Sequence, residues 1–150
     1  MDINLLLFLL FIGSPISIFI HELGHAVAAI SLKANQITIS IGSGQALFTI
    51  RIYHITVIIN RVYFIGGMTK YKRTKGFTSK ELIWLTILGP VFNGVTACII
   101  FTLLAILSNT YLQLLFLFNL WLALANLLPF RIKDKQTDGY TIIQLLRERY

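Results

Sequence analysis

The segment INLLLFLLFIGSPISIFIHELGHAVAAISL, residues 3–32, decides what kind of protein this is. It is apolar almost throughout. A hydrocarbon core about 30 Å thick takes roughly 20 helical residues to cross, so this run spans with residues to spare. A cleaved secretion signal is the alternative reading. It fits poorly, because no basic residue precedes the run and the run is too long. Pro15 either kinks the helix or marks its true start. Composition agrees: 56% of the chain is hydrophobic, 13% is charged, and mean hydropathy is +0.76. A soluble domain carries about 25% charged residues. A core built from 150 residues could not hide so many apolar side chains from water, so lipid is the expected solvent for much of the surface.

Outward from this helix the pattern changes. Across residues 36–69, Ile37, Ile39 and Ile41 alternate with polar residues, Gly42-Ser43-Gly44 interrupts, and Phe48, Ile50 and Ile52 resume the alternation. Period two with β-branched residues predicts strands. A second apolar stretch, 55–65, ends in Gly66-Gly67, giving two to four strands at or dipping into the membrane surface. Thr78-Ser79-Lys80-Glu81 has capping-box spacing and opens an apolar helix over 82–107. Ser108-Asn109-Thr110 makes a turn, and a further helix is expected over 111–128. Beyond Pro129 comes a polar loop, then a short amphipathic helix over 140–149 through Ile142, Ile143, Leu145 and Leu146. The expected fold class is membrane α-helical: about three transmembrane helices, with a small membrane-associated β segment between the first and second. Residues 1–150 form a single domain.

The net charge of +7 raises nucleic acid as a partner, but the basic residues sit at the ends of apolar stretches: Lys33, then Lys70, Lys72, Arg73 and Lys75, then Arg131, Lys133 and Lys135. That is how a membrane protein is anchored, and no basic face is interleaved with exposed aromatics. Nucleic acid is therefore excluded and the lipid bilayer is the expected partner. The same clusters orient the chain, with the β segment and C-terminus cytoplasmic and the 108–110 turn opposite. Cys98 is the only cysteine, so no internal disulfide forms, and its apolar neighbours make it a packing or lipid-facing residue.

Within the first helix lies His21-Glu22-Leu23-Gly24-His25, an H-E-x-x-H pattern. Histidines four apart share a helical face, so both imidazoles can reach one ion, and Glu22 projects beside them. Zinc on three protein ligands keeps a fourth position for water and lowers its pKa to about 7; a neighbouring carboxylate can take the proton. The pattern also arises by accident in soluble helices. Here, three ionisable side chains in an apolar membrane helix cost several kcal/mol unless paired, coordinated or hydrated. His25 precedes Lys33 by eight residues, about 12 Å of helix inside the basic boundary, and ionisable groups at such depth are functional by default. Candidates for a third ligand are His54, Cys98, Asp2, Glu81, Asp134, Asp138 and Glu148. Taken alone, Asp138 before Gly139 reads as the N-cap of the last helix.

These residues place the chain in a recognisable company. His-Glu-Leu-Gly-His at 21–25, Gly89-Pro90-Val91-Phe92-Asn93, and Asn126-Leu127-Leu128-Pro129 followed by Asp138-Gly139 resemble, in order, the three motifs of the site-2 protease family of intramembrane zinc metalloproteases. Gly66-Gly67 resembles the family more weakly. The resemblance implies a three-helix catalytic core with zinc toward the cytoplasmic side, in an integral membrane protein of a bacterial cell membrane. It implies His21, His25 and Asp138 as zinc ligands, Glu22 as general base, and Asn93 and Asn126 as substrate-positioning or oxyanion groups. Against these, Pro90 reads as a helix kink and Asn93 as an interhelical hydrogen bond. The β segment would hold an unwound substrate by its strand edge. The chain departs from the family in the charged insert 131–136, which bears on the depth of Asp138, and in lacking extra helices and regulatory domains. A regulatory membrane partner, a homo-oligomer or a very simple substrate would account for the latter.

The expected function is hydrolysis of a peptide bond in or near a transmembrane segment of a membrane-embedded peptide or protein. One rival is an inactive zinc-binding relative that sequesters membrane proteins or peptides, and the intact Glu22 argues against it. Another is a metal-passing subunit, but the second and third helices carry no histidine, aspartate or glutamate after Glu81.

Overall fold

The computed structural model describes residues 2–132 and 135–147; the candidate ligands Asp134 and Glu148, with Lys133 and Arg149, lie outside the described residues. The first apolar run forms helix α1 (Ile3–Phe8), a π-helical turn (Leu9–Gly13) and helix α2 (Ser14–Ser31) in unbroken succession. Pro15 stands in the first turn of α2. A proline there removes a donor from the helical ladder, and the widened turn just before it is where the ladder absorbs that loss.

Helix α3 (Ser79–Leu104) starts at the expected capping box, in which the Thr78 hydroxyl accepts from the Glu81 N–H and Glu81 accepts from the Thr78 N–H. The same carboxylate takes two hydrogen bonds from Arg73, at 2.9 Å each, fastening the end of the β segment to the start of α3. Helix α4 (Thr110–Leu127) is capped by Asn109. Among the described residues, three helical stretches are thus long and apolar enough to cross a membrane: 3–31, 79–104 and 110–127.

These helices pack inside out compared with a soluble bundle. In α4 only Asn119 and Ala123 are buried, while Leu117, Trp121 and Leu124 stay exposed. In α3, Phe101 and Ile99 face outward and Asn93 is sealed in. Lipid solvates large apolar side chains as well as a protein interior does, so helix contacts fall to small and polar residues. Gly24 shows this directly, since a Cβ there would run into the Leu88 carbonyl of α3.

Between α2 and α3 lie two long strands, β1 (Gln36–Ile52) and β2 (Ile55–Lys72), paired antiparallel. Each bends so sharply that one stretch of β1 meets β2 twice. Ile37 to Ile41 pair with Tyr71 to Gly67, and on the other side with Ile55 to Ile59 at a constant offset. The expected range of two to four strands therefore appears as two strands forming four side-by-side segments. Gly42 and Gly66, both at positive φ, provide the bends. Contrary to the sequence expectation, Gly66-Gly67 does not end the segment, because β2 runs through it to Lys72. Ile37, Ile39 and Ile41 bury against Ala26, Ala29 and Ile18 of α2. At the far end, Ser14 Oγ donates to the Phe64 carbonyl at 2.9 Å.

The described ends of the charged insert pair with each other. Strands β3 (Arg131–Ile132) and β4 (Lys135–Gln136) pair, which brings Phe130 and Thr137 together, with the Thr137 N–H donating to the Phe130 carbonyl at 3.1 Å. Helix α5 (Asp138–Arg147) follows directly. Thr137 rather than Asp138 caps α5, its hydroxyl accepting from the Tyr140 N–H at 3.3 Å. Gly139 sits against the Leu127 carbonyl with no room for a side chain. Asp138, released from capping, turns inward at the end of α4.

Candidate active site

His21 and His25 share one face of α2, with ring centroids 4.8 Å apart. Each has its Nδ1 tied to an acceptor. The His25 Nδ1 donates to the Leu85 carbonyl at 2.8 Å, and the His21 Nδ1 lies 2.7 Å from Asn93 Oδ1. A backbone carbonyl can only accept, which fixes the His25 proton. For His21 the assignment runs through a buried chain. Asn119 Nδ2 donates to the Leu115 carbonyl and to Ser17 Oγ, both at 2.9 Å. Its Oδ1 then accepts from Asn93 Nδ2 at 2.9 Å, and the same Asn93 nitrogen donates to the Ser17 carbonyl at 3.0 Å. With both amide hydrogens of Asn93 so placed, its oxygen faces His21 and must accept.

Neutral imidazoles protonated at Nδ1 carry bare lone pairs at Nε2. Here the two Nε2 atoms stand 3.2 Å apart. Asp138 closes the triangle, with Oδ2 3.1 Å from His21 Nε2 and Oδ1 3.7 Å from His25 Nε2. Despite that proximity Asp138 Oδ2 is buried without a hydrogen-bond partner. The donor atoms of all three residues lie within 4.8 Å of one another. Three electron-pair donors converging without a hydrogen between them suit a cation, and two imidazoles with one carboxylate suit zinc. Gly89 supplies the space, since a Cβ there would collide with the His25 ring and come within 2.9 Å of His21 Nε2. The Nδ1 acceptors orient each ring, as outer-shell partners of metal-binding histidines do.

Glu22 is buried beside this cluster and faces the sheet. Thr69 Oγ1 of β2 lies 2.7 Å from Glu22 Oε2 and 3.1 Å from the Glu22 carbonyl, and donates to one or the other. Gly67, two residues earlier, leaves room for the carboxylate, because a Cβ there would sit 2.7 Å from Glu22 Oε1. Tyr71, next on the same face, has its phenol pushed up by burial first and by the Asp138 charge second. The sheet thus forms one wall and α2, α3 and α5 the other.

The remaining sequence candidates disperse. His54 is exposed at the turn between β1 and β2, and Cys98 is exposed. Glu81 is occupied by its cap and by Arg73, and Asp2 caps α1. Asn93 is fully buried with its amide committed to protein partners. It therefore stands behind His21, a different position from the substrate-contacting one expected of it. Asn126 donates to the Leu122 carbonyl of its own helix at 2.9 Å. Two contributors escaped the sequence reading, Asn119 and Thr69. Asn119 leaves a partial signal, one of three amides with Gln113 and Asn126 in an otherwise apolar membrane helix. Thr69 leaves none, being one hydroxyl among many in a strand.

A family model described as peptidase family M50, the site-2 protease family, matches residues 7–110. The chain belongs to that family. The M50 match takes in His21, Glu22, His25, Thr69, Gly89 and Asn93, and ends before Asp138. The third corner of the triangle therefore rests on geometry independent of the match. Comparison with curated proteins finds no match.

Proposed function

We propose that this M50 chain is a zinc-dependent endopeptidase that cuts a peptide bond in or near a transmembrane segment of a small membrane-anchored substrate. The observation that carries this reading is the convergence of two bare Nε2 atoms and a carboxylate oxygen with no hydrogen-bond partner beside a buried glutamate. His21, His25 and Asp138 would hold the zinc. When bound, the ion supplies a Lewis acid that brings the pKa of a water to about 7 and polarises the scissile carbonyl.

Glu22 does the proton work. Thr69 engages Oε2, leaving Oε1 to take a proton from water and return it to the departing amide nitrogen. Asn93 keeps the His21 Nδ1 hydrogen in place and so keeps Nε2 available. Asn126 has one amide hydrogen on Leu122, and the second has no hydrogen-bond partner among the described residues. We assign that second hydrogen to the developing oxyanion.

Residues 67–72 of β2 pair with β1 on one side only. A helical substrate shields its peptide bonds, so it must unwind to be cut, and an open strand edge next to Glu22 can hold the unwound segment by main-chain hydrogen bonds. Basic residues at 70–75 and 131–135 favour a site toward the cytoplasmic side of, in our reading, a bacterial cell membrane. The zinc-binding but inactive alternative gains nothing from the site, because a sequestering protein has no use for a buried carboxylate held by Thr69.

The test is Glu22→Gln in the zinc-loaded protein. Zinc content should stay at the wild-type level, while cleavage of a co-expressed membrane substrate falls by at least about a hundredfold. Undiminished cleavage by that variant refutes the mechanism.

A further inference from the structure

The open edge of β2 is also charged. Side chains alternate along it: Thr69 and Tyr71 turn inward, and Met68, Lys70 and Lys72 lie exposed on the opposite face. Among the described residues neither the Lys70 nor the Lys72 side chain has an ion pair or a hydrogen bond, whereas Arg73, one place on, is committed to Glu81, Leu32 and Gly76. Two unpartnered cations, two residues apart, therefore flank the strand whose inner face holds Glu22.

We propose that Lys70 and Lys72 select substrates carrying acidic side chains, two residues apart, on the segment that leaves the membrane next to the cleavage site. The proposal rests on the protease reading above and names its substrate class. A substrate added as a strand puts one residue across from Thr69, beside Glu22, and the residues one and three places further out across from Lys70 and Lys72. Cross-strand neighbours approach to about 4.5–5.5 Å between Cβ atoms, where opposite charges attract and like charges destabilise. The repulsive half matters as much. Membrane helices ordinarily carry lysine and arginine on their cytoplasmic flank, and those flanks would meet Lys70 and Lys72 with the same sign. Rejection by like charge gives a small protease a way to spare ordinary membrane helices. Anionic lipid headgroups could also neutralise the two lysines, and the test separates that case.

The experiment uses the full chain, zinc-loaded, in nanodiscs, with three versions of one transmembrane peptide whose flank is Glu-x-Glu, Gln-x-Gln or Lys-x-Lys. Wild type should cleave the acidic flank with kcat/KM roughly tenfold or more above the basic one. The double variant Lys70→Glu with Lys72→Glu should reverse that order, and Lys70→Gln with Lys72→Gln should level it. The neutral peptide serves as the reference for each variant, and the proposal is read from the acidic-to-basic ratio. Selection is a binding property, so the three peptides are also titrated against zinc-loaded Glu22→Gln. The acidic preference should persist there even if no peptide is cleaved, which separates failure of this proposal from failure of the protease assignment. Equal binding of all three flanks overturns the proposal. So does a preference that vanishes in purely zwitterionic nanodiscs, or a charge reversal that weakens all three peptides alike, since both point to lipid anchoring.

Discussion

The two walls of the site hold their side chains in opposite ways. On the helical wall the orienting contacts are buried or part-buried and run back to backbone carbonyls: His25 on Leu85, and His21 through Asn93 and Asn119 on Ser17 and Leu115. On the sheet wall one hydroxyl reaches Glu22, and the opposite face of the same strand is exposed. The contrast follows from the tasks. Metal ligands must keep a fixed geometry with or without substrate, whereas a surface that accepts an extended peptide must stay open along one edge.

The helical wall breaks most completely at Gly89. Gly89→Val puts a branched side chain where the rings of His21 and His25 converge. We expect zinc content, measured by metal analysis of the purified protein, to fall to near zero and cleavage with it. Retained zinc would mean that the cation does not occupy the space between these rings. A smaller effect belongs to Asn93→Leu, which keeps the volume and removes the acceptor for His21 Nδ1. Zinc affinity, read by chelator competition, should fall by about 10–100-fold, the usual loss for an outer-shell partner. An unchanged affinity would reduce Asn93 to helix–helix packing.

The same division governs what could be read from the chain. The helical wall was legible, because histidines one turn apart in an apolar helix, a capping box at Thr78 and Glu81, and basic residues at helix ends are local patterns with local causes. Asp138 was legible only through resemblance. Its own neighbourhood suggested a helix cap, and Thr137 took that place, held beside Phe130 where β3 and β4 pair. The sheet was legible as strands but not as an arrangement. Nothing in the alternation of Ile37, Ile39 and Ile41 says that they meet β2 twice, since that depends on bends at Gly42 and Gly66 whose angle only packing against α2 sets. Asn93 was noticed, yet its partner Asn119 lies 26 residues further on in another helix, and pairings between helices leave no mark on either sequence.

Thr69→Val sharpens the contrast by touching the sheet wall alone. Valine fills the volume of threonine but cannot donate, so Glu22 loses the hydroxyl shared between its Oε2 and its carbonyl. Zinc affinity should match wild type, because Thr69 contacts none of the three ligands. KM should also hold, because the strand edge offers the same backbone groups. What should fall is kcat, by about tenfold, a fraction of the 10²–10⁴ that a positioned general base contributes. Thr69→Ser restores the hydroxyl and should restore most of the rate. This pattern separates orientation of the base from mere support of the strand. A damaged strand would raise KM, weaken the charge preference at Lys70 and Lys72, and gain little from serine. If valine leaves kcat untouched, Glu22 is held by α2 alone, and the sheet's part is confined to binding the substrate.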